Sequence, residues 1–453
     1  METAMGKMSY NRWIPVFAGI AIQLCLGTAY IWGVFQKGIA TYLFNGSNAD
    51  ASLAFSILLG VLTFGSTIGG MLQDKYGPKM IVMAGGIILA IGFFLASLST
   101  PGNGWMVWIT YGVIGGFGMG MTYSTTIACA QKWFPDKRGL ITGIIVAALG
   151  FGGVVFTPLA ETLIKMYSTF ADKIDALGAK VLDASGKVVQ VVSNPGIGEL
   201  TTFKYLAVIF LVVCVIGSLF LKNPPKGFAP KGWIAPPPKH GITHQDIEPK
   251  NVLKMPQFYL ITGTLMFASM AGLMMIAFGK TIASYQPEIT AYAVVGVMAV
   301  TLFNSFGRLF WGWMSDKLGR KNTILLLLIG TAVIVLLVKL MVTTWFFFVL
   351  IAAIGFLYGG YLGTFPALTA DYFGPKNMGM NYGMVLLGFG IGAVVSSYIG
   401  GYFIDLSKVK DAAGTVVSLN VDKMFTAFII ASVASIVGAV FMFFLKPPKA
   451  MKE

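Results

Sequence analysis

The sequence predicts an all-α membrane protein of twelve spanning helices, arranged as two related six-helix halves. Three observations carry that expectation. Of the 453 residues, 56% are hydrophobic and only 11% are charged, with a mean hydropathy of +0.77, whereas a soluble domain carries about a quarter charged residues. Apolar runs such as Trp13–Phe35, Ile81–Leu98, Tyr205–Leu221 and Thr323–Val342 approach or exceed the roughly 20 residues that cross a bilayer core. Finally, one ten-residue pattern recurs at matching places in the two halves of the chain.

Taken in order, helix 1 (near 13–36) is the apolar run behind Arg12, which is too long for a signal peptide and is followed by comparable runs to the end of the chain. Helix 2 (53–73) runs up to Asp74-Lys75, and helix 3 (80–98) lies between Pro78 and Pro101. Helix 4 (105–131) stops before Phe134-Pro135, helix 5 (139–162) follows Lys137-Arg138, and helix 6 (203–222) ends before Pro224-Pro225. The segment 223–256, rich in Pro and Lys, reads as an inner linker between the halves 1–222 and 257–453. The second half repeats the scheme with helices near 257–280, 291–314, 322–342, 345–370, 380–403 and 424–445.

Charge supports the count independently. With both termini cytoplasmic, the short inner loops hold Lys75, Lys79, Lys132, Lys137, Arg138, Lys317, Arg320, Lys321 and Lys376, while the outer loop between helices 3 and 4 has no Lys or Arg. This positive-inside bias fits an even number of spans in the cell (inner) membrane. The net charge of +14 does not signal nucleic acid, because the basic residues are dispersed among inner loops rather than gathered into a stripe; they orient the chain and meet anionic lipid. Cys25, Cys129 and Cys214 all fall in helices, so no disulfide framework is implied. His240 and His244 lie in the linker, which leaves no membrane metal cluster, and no cofactor is expected.

The repeated pattern is Gly70-x-x-x-Asp74-Lys75-x-Gly77-x-Lys79 after helix 2 and Gly312-x-x-x-Asp316-Lys317-x-Gly319-x-Lys321 after helix 8. The first glycine lets helices approach, the second permits a tight turn, and the aspartate can cap or pair across neighbouring helix ends. A second correspondence is Gly139-x-x-x-Gly143 opening helix 5 and Gly379-x-x-x-Gly383 opening helix 11. These doubled motifs, the six-plus-six layout and the central linker resemble the major facilitator superfamily over nearly the whole chain. The resemblance implies parallel halves rocking about a midplane site. The outer loops after helices 5 and 11 also match. Lys180-Val-Leu-Asp183-Ala-Ser-Gly186 and Lys408-Val-Lys-Asp411-Ala-Ala-Gly414 each place a small-residue turn between β-branched runs, a hairpin signal. The plainer role is an inert pair of surface hairpins; the sharper one is a pair that meets above the outer mouth and biases its closing.

A charge deep in a membrane segment costs about 2.5–3.5 kcal/mol on insertion scales. Lys37, Lys280 and Lys339 fall near the outer surface and can snorkel, and Glu161, Lys165 and Asp371 lie near helix ends. Arg308 is left over. It stands about two turns above Asp316 in helix 8, with Asn304 one turn further out on the same face, and no helix interior offers it a carboxylate. A guanidinium without a protein counterion, facing a cavity, suits a carboxylate or similar anion. The plainer role is bracing the inner gate or meeting a backbone carbonyl.

Gly27-Thr-Ala-Tyr30-Ile-Trp32-Gly-Val-Phe35 is similar to the helix 1 signature of the oxalate/formate antiporter family, which is related to the monocarboxylate transporters. Asn304-x-x-Gly307-Arg308-x-x-x-Gly312 resembles their helix 8 segment, so the resemblance implies that Arg308 holds the substrate carboxylate. It also points to Tyr123, because the monocarboxylate carriers use a helix 4 tyrosine. Helix 11 departs from the oxalate carriers: Phe389 stands where their second cation would be, and the helix has no Lys or Arg. One buried cation matches one negative charge, which favours a monocarboxylate such as lactate, pyruvate or formate over oxalate. Tyr30 joins the candidate substrate-binding set of Arg308, Asn304, Tyr123 and Phe389; Trp32, Tyr358, Tyr361 and Gln23 are weaker cavity candidates.

The expectation is therefore a monomeric secondary carrier of a small carboxylate, coupled by proton symport or anion exchange. The alternatives are an oxalate/formate antiporter and a membrane sensor that binds an acid without moving it. An enzyme is not expected, since no helix pairs a nucleophile with a base, and the glycine run Gly115–Gly120 lacks the Lys-Ser/Thr of a phosphate loop.

Overall fold

The computed structural model describes residues 10–172, 180, 188, 190–225, 228–230, 246–285, 293–341, 344–410 and 416–448. His240, His244 and the two outer turns around Asp183 and Asp411 lie outside these residues. Among the described residues the chain is almost wholly helical. The first six long helices are α1 (Ile14–Leu43), α2 (Asn48–Tyr76), α3 (Pro78–Ala96), α4 (Gly116–Trp133), α5 (Arg138–Tyr167) and α6 (Ile197–Leu219). The next six are α7 (Pro256–Tyr285), α8 (Ala293–Leu318), α9 (Arg320–Val338), α10 (Phe346–Phe373), α11 (Met378–Ser407) and α12 (Val421–Phe444). Ten are long and apolar enough to cross a membrane on length and composition; α4, entered through a π-helical stretch at Trp108–Gly115, and α8 bring the helices to twelve.

Local chemistry explains the boundaries. The Ser47 hydroxyl accepts from the Asp50 amide and opens α2. Gly77 and Gly319 turn the chain between α2 and α3 and between α8 and α9 with φ of 84° and 83°, in the left-handed region that disfavours any side chain. The two largest departures from the sequence-read boundaries are in helices 6 and 1. Helix 6 begins at Ile197 rather than near 203, because Glu199 folds back to accept from the Gly196 amide and caps its own helix. Helix 1 extends to Leu43 and tightens into a 3₁₀ turn at Gly27–Ile31.

The packing repeats with a period of six helices. In the first half α1 lies on α5, α2 on α4 and α3 on α6; in the second α7 lies on α11, α8 on α10 and α9 on α12. The two most extensive contacts between the sets are α2 with α11 and α5 with α8. Both are close backbone crossings. A Cβ on Gly70 would fall 2.1 Å from the Gly379 carbonyl, one on Gly139 2.2 Å from the Gly312 oxygen, and one on Gly143 2.6 Å from the Arg308 oxygen. Within the first half, the glycine run alternates faces: Gly116 and Gly120 abut α2 at Leu58 and Leu62, and Gly118 abuts α3 at Gly85 and Leu89. The outer surface carries large exposed apolar side chains, including Phe17, Phe64, Val208, Ile329, Tyr398 and Phe443. A belt of this kind suits hydrocarbon rather than water.

Both outer loops form antiparallel hairpins, β1 (Phe170–Asp172) with β2 (Gln190–Val192) and β3 (Lys408–Lys410) with β4 (Val416–Leu419). The first differs from the sequence reading: the strand paired with Gln190–Val192 lies upstream of Lys180, so the hairpin is longer than the Lys180–Gln190 turn suggested.

Candidate functional site

α8 is gripped by glycines on two sides. On α5, Gly143 abuts the Arg308 and Leu309 backbone and Gly150 abuts Ser305; on α10, Gly359 abuts the Asn304 carbonyl and Gly363 that of Arg308. With α5 and α10 pressed so close, Arg308 is 0% exposed. Its Nη1 donates to the Val146 carbonyl on α5 at 2.9 Å, and its Nη2 donates to the Tyr30 hydroxyl on α1 at 3.0 Å. The Tyr30 ring centroid lies 5.3 Å from the guanidinium carbon, a cation–π distance.

Tyr30 is presented by the 3₁₀ turn. Gly27 and Gly152 meet so tightly that a Cβ on Gly27 would lie 2.1 Å from the Leu149 carbonyl. This crossing of α1 and α5 coincides with the overwound turn, which re-aims the side chains that follow. Tyr123 on α4 is buried, its hydroxyl 3.4 Å from that of Tyr382 on α11. Gln23 braces this arrangement by donating to the Tyr123 carbonyl and to the Thr126 hydroxyl. Tyr358 on α10 is buried with its ring against Gly272. Tyr123, Tyr358 and Tyr382 all lie within electrostatic reach of both Arg308 and Tyr30.

The result is one guanidinium bonded to Tyr30 with three more tyrosines in electrostatic reach, so that each set of six helices supplies two. None of the ion pairs among the described residues involves Arg308. Two polar atoms of the cluster, Arg308 Nε and the Tyr358 hydroxyl, have no hydrogen-bond partner among the described residues. A buried donor left in that condition costs about 1–3 kcal/mol, and more when it is charged, so the cluster is chemically suited to an oxygen-rich anion.

The sequence-derived candidates divide. Arg308, Tyr30 and Tyr123 come together. Asn304 shares the Arg308 face, but its amide donates to the Gly355 carbonyl on α10 at 3.1 Å. Phe389 is buried on α11, seven residues beyond Tyr382 and hence on the same face about 10 Å further along. Tyr361 bonds Thr331 inside the second half, and Trp32 packs on Tyr111 in the first. Tyr382 and the Val146 carbonyl were not anticipated. Tyr382 directly precedes Gly383 of the repeated glycine pair, and while Gly383 abuts α2 at Thr67 the Tyr382 hydroxyl meets Tyr123 on α4. The carbonyl belongs to the backbone and has no sequence signature.

A second cluster closes the face that holds the α2–α3, α4–α5, α8–α9 and α10–α11 turns. Asp316 accepts from the Gly139 and Leu140 amides at 3.0 and 2.8 Å, and so sits on the N-terminus of α5. Asp74 accepts from the Met380 amide at 3.4 Å on the N-terminus of α11, and from Lys132 at 3.3 Å. Each motif aspartate thus caps a helix of the opposite half, where the helix dipole favours a negative charge. Asp371, which the sequence left as a helix-end charge, binds Arg138 of α5 and Arg320 of α9 at 2.9 Å each, and Arg320 also pairs with Asp316 at 2.6 Å.

The family profile described as Major Facilitator Superfamily matches residues 16–308 and 285–453. The chain is 29% identical over 386 residues to the uncharacterized MFS-type transporter YhjX of Escherichia coli (strain K12), spanning 85% of this chain and 86% of that one. It is 24% identical over 407 residues to the oxalate:formate antiporter of Oxalobacter formigenes, with 86% of each covered. It is 22% identical over 489 residues to apicoplast pyruvate carrier 1 of Toxoplasma gondii, over 91% of this chain and 86% of that one. Among solved structures, the transporter FucP in its outward conformation superposes with a TM-score of 0.67 at 14% identity, over 96% of this chain and 100% of that one.

Proposed function

Because this chain belongs to the major facilitator superfamily, and is therefore a multi-pass membrane transporter, we propose that it moves a small monocarboxylate by alternating access with Arg308 as the carboxylate anchor. The observation that carries this reading is a fully buried guanidinium that pairs with no acid among the described residues and has an Nε without a partner. An incoming carboxylate supplies the missing negative charge and accepts from the fork of guanidinium donors in a site where water competes little. Tyr123, Tyr358 and Tyr382 are buried aromatic groups within electrostatic reach of the guanidinium, and the Tyr358 hydroxyl is free to meet a substrate oxygen. The names of the oxalate:formate antiporter and the pyruvate carrier, both relatives over most of their length, support a small carboxylate as cargo.

The residues 1–222 and 257–453 act as two rocking bodies joined by the linker 223–256, in the cell membrane with both termini cytoplasmic. On this orientation the aspartate-capped face is the cytoplasmic gate and is closed. Its opening parts α2 from α11 and α5 from α8. Phe389, a neutral side chain on the site-facing side of α11, favours a single carboxylate such as lactate, pyruvate or formate. The relationship to the oxalate:formate antiporter favours a second reading, oxalate/formate exchange with another residue as second cation. Uptake of labelled lactate, pyruvate, formate and oxalate into proteoliposomes, with Arg308→Ala in parallel, tests both. Full uptake by that variant overturns the anchor.

A further inference from the structure

We propose that the Tyr30 hydroxyl and the Val146 carbonyl form an empty-site clamp on Arg308 that holds the unloaded carrier shut and makes it an exchanger. This rests on the reading of Arg308 as the substrate anchor, and adds what happens to the anchor when no substrate holds it.

Both acceptors belong to the first half, on α1 and α5, while the arginine belongs to α8 in the second. Each hydrogen bond therefore crosses the line along which the halves must separate. Hydrogen bonds from a charged donor are stronger than neutral ones, and these two are made by the same cation. Tyr30 also stands over the guanidinium: its ring is 5.3 Å from the guanidinium carbon, and it is 38% exposed while Arg308 is 0% exposed. The tyrosine is the cover of the site.

The clamp leaves one edge of the guanidinium usable. Nη1 gives one N–H to Val146, and Nε is unpaired. A carboxylate that binds two-pronged to Nε and Nη2 meets the same nitrogen that donates to the Tyr30 hydroxyl, and competes with that bond. Loading thus weakens the clamp. In the loaded carrier the cation is neutralised and its donors are satisfied by the cargo, so α5 can leave α8. In the empty carrier the same movement strips the guanidinium of both acceptors and leaves a bare charge in a dry site, the case in which breaking a buried pair is most unfavourable. A carrier that reorients only when loaded exchanges one anion for another rather than running net flux.

The test begins without any substrate. Lys137 on the α4–α5 turn and Lys376 on the α10–α11 turn are exposed, one in each half. Spin labels at cysteines in these positions, with the buried Cys25, Cys129 and Cys214 replaced, report the width of the aspartate-capped face. The empty carrier is expected to give one short distance. Tyr30→Phe, which removes a hydroxyl and little volume, is expected to add a longer one by raising the open-to-closed ratio roughly tenfold or more, as loss of one charge-assisted hydrogen bond implies. In proteoliposomes, labelled lactate, pyruvate and formate are each run in turn as efflux into acid-free buffer and as exchange against the same acid outside. Exchange should exceed net efflux in the native chain, and Tyr30→Phe should lower that ratio. An unchanged distance distribution in Tyr30→Phe overturns the clamp while leaving the anchor intact. Equal net efflux and exchange in the native chain overturn the exchanger. Full uptake by Arg308→Ala removes the anchor itself, and the clamp's role in coupling with it.

Discussion

Replacing Asp371 by asparagine keeps the shape of the side chain and removes the negative charge that two guanidinium groups share. Arg320 retains Asp316 at 2.6 Å, so most of the loss falls on Arg138, whose Nε already has no partner among the described residues. The Arg138–Asp371 pair spans the two halves at 2.9 Å, with side-chain exposures of only 14% and 10%, so solvent screens it little. A hydrogen bond to a charged group contributes about 1.5–3 kcal/mol. Because this one exists only while the face is closed, its loss shifts the open-to-closed ratio by about 10- to 100-fold. The assay is the distance between spin labels at positions 137 and 376 in the substrate-free protein, where Asp371→Asn should populate a second, longer separation. The reverse change, Arg138→Gln, should do the same, and the double variant should add little to either single one. A single unchanged distance in Asp371→Asn would refute the argument that this pair holds the face shut.

Arg308→Lys keeps the charge but not the planar fork; uptake of the preferred acid should fall at least about tenfold, measured as initial rate in proteoliposomes. Phe389→Lys adds a second cation to the face of α11 that carries Tyr382, and counterflow should shift from monocarboxylates towards oxalate; no shift would break the one-charge argument. Gly77→Ala forces a side chain into a left-handed turn, a cost of about 1–2 kcal/mol. It should lower the thermal stability of the detergent-solubilised protein while leaving an intact site.

The twelve helices were legible because membrane spans announce themselves in composition, and the doubled glycine–aspartate motif marks equivalent turns. Arg308 stood out for a related reason: a charge that a bilayer resists needs an explanation. What the sequence hid was assembled across distance. Asp371 meets Arg138 from 233 residues away and Arg320 from 51, and each of the three looks like an ordinary helix-end charge alone. Tyr382 looked like one aromatic residue among many, because its significance depends on which face of α11 meets the first half. The 3₁₀ turn that delivers Tyr30 arises where Gly27 meets Gly152, a crossing of two helices that no periodicity within helix 1 encodes. The start of helix 6 at Ile197 was hidden as well, because it depends on the Glu199 carboxylate folding back to accept from the buried Gly196 amide.

The two aspartates that close the turn face grip main-chain amides across the seam, besides the side chains of Lys132 and Arg320 within their own halves. Every residue but proline supplies such an amide, so the identities of Leu140 and Met380 are free to drift across generations without loosening the fastening. The main-chain half of this lock has no complementary side chain to co-evolve. It tolerates almost any neighbour at those two places and is vulnerable there to one substitution, proline, which removes the donor itself.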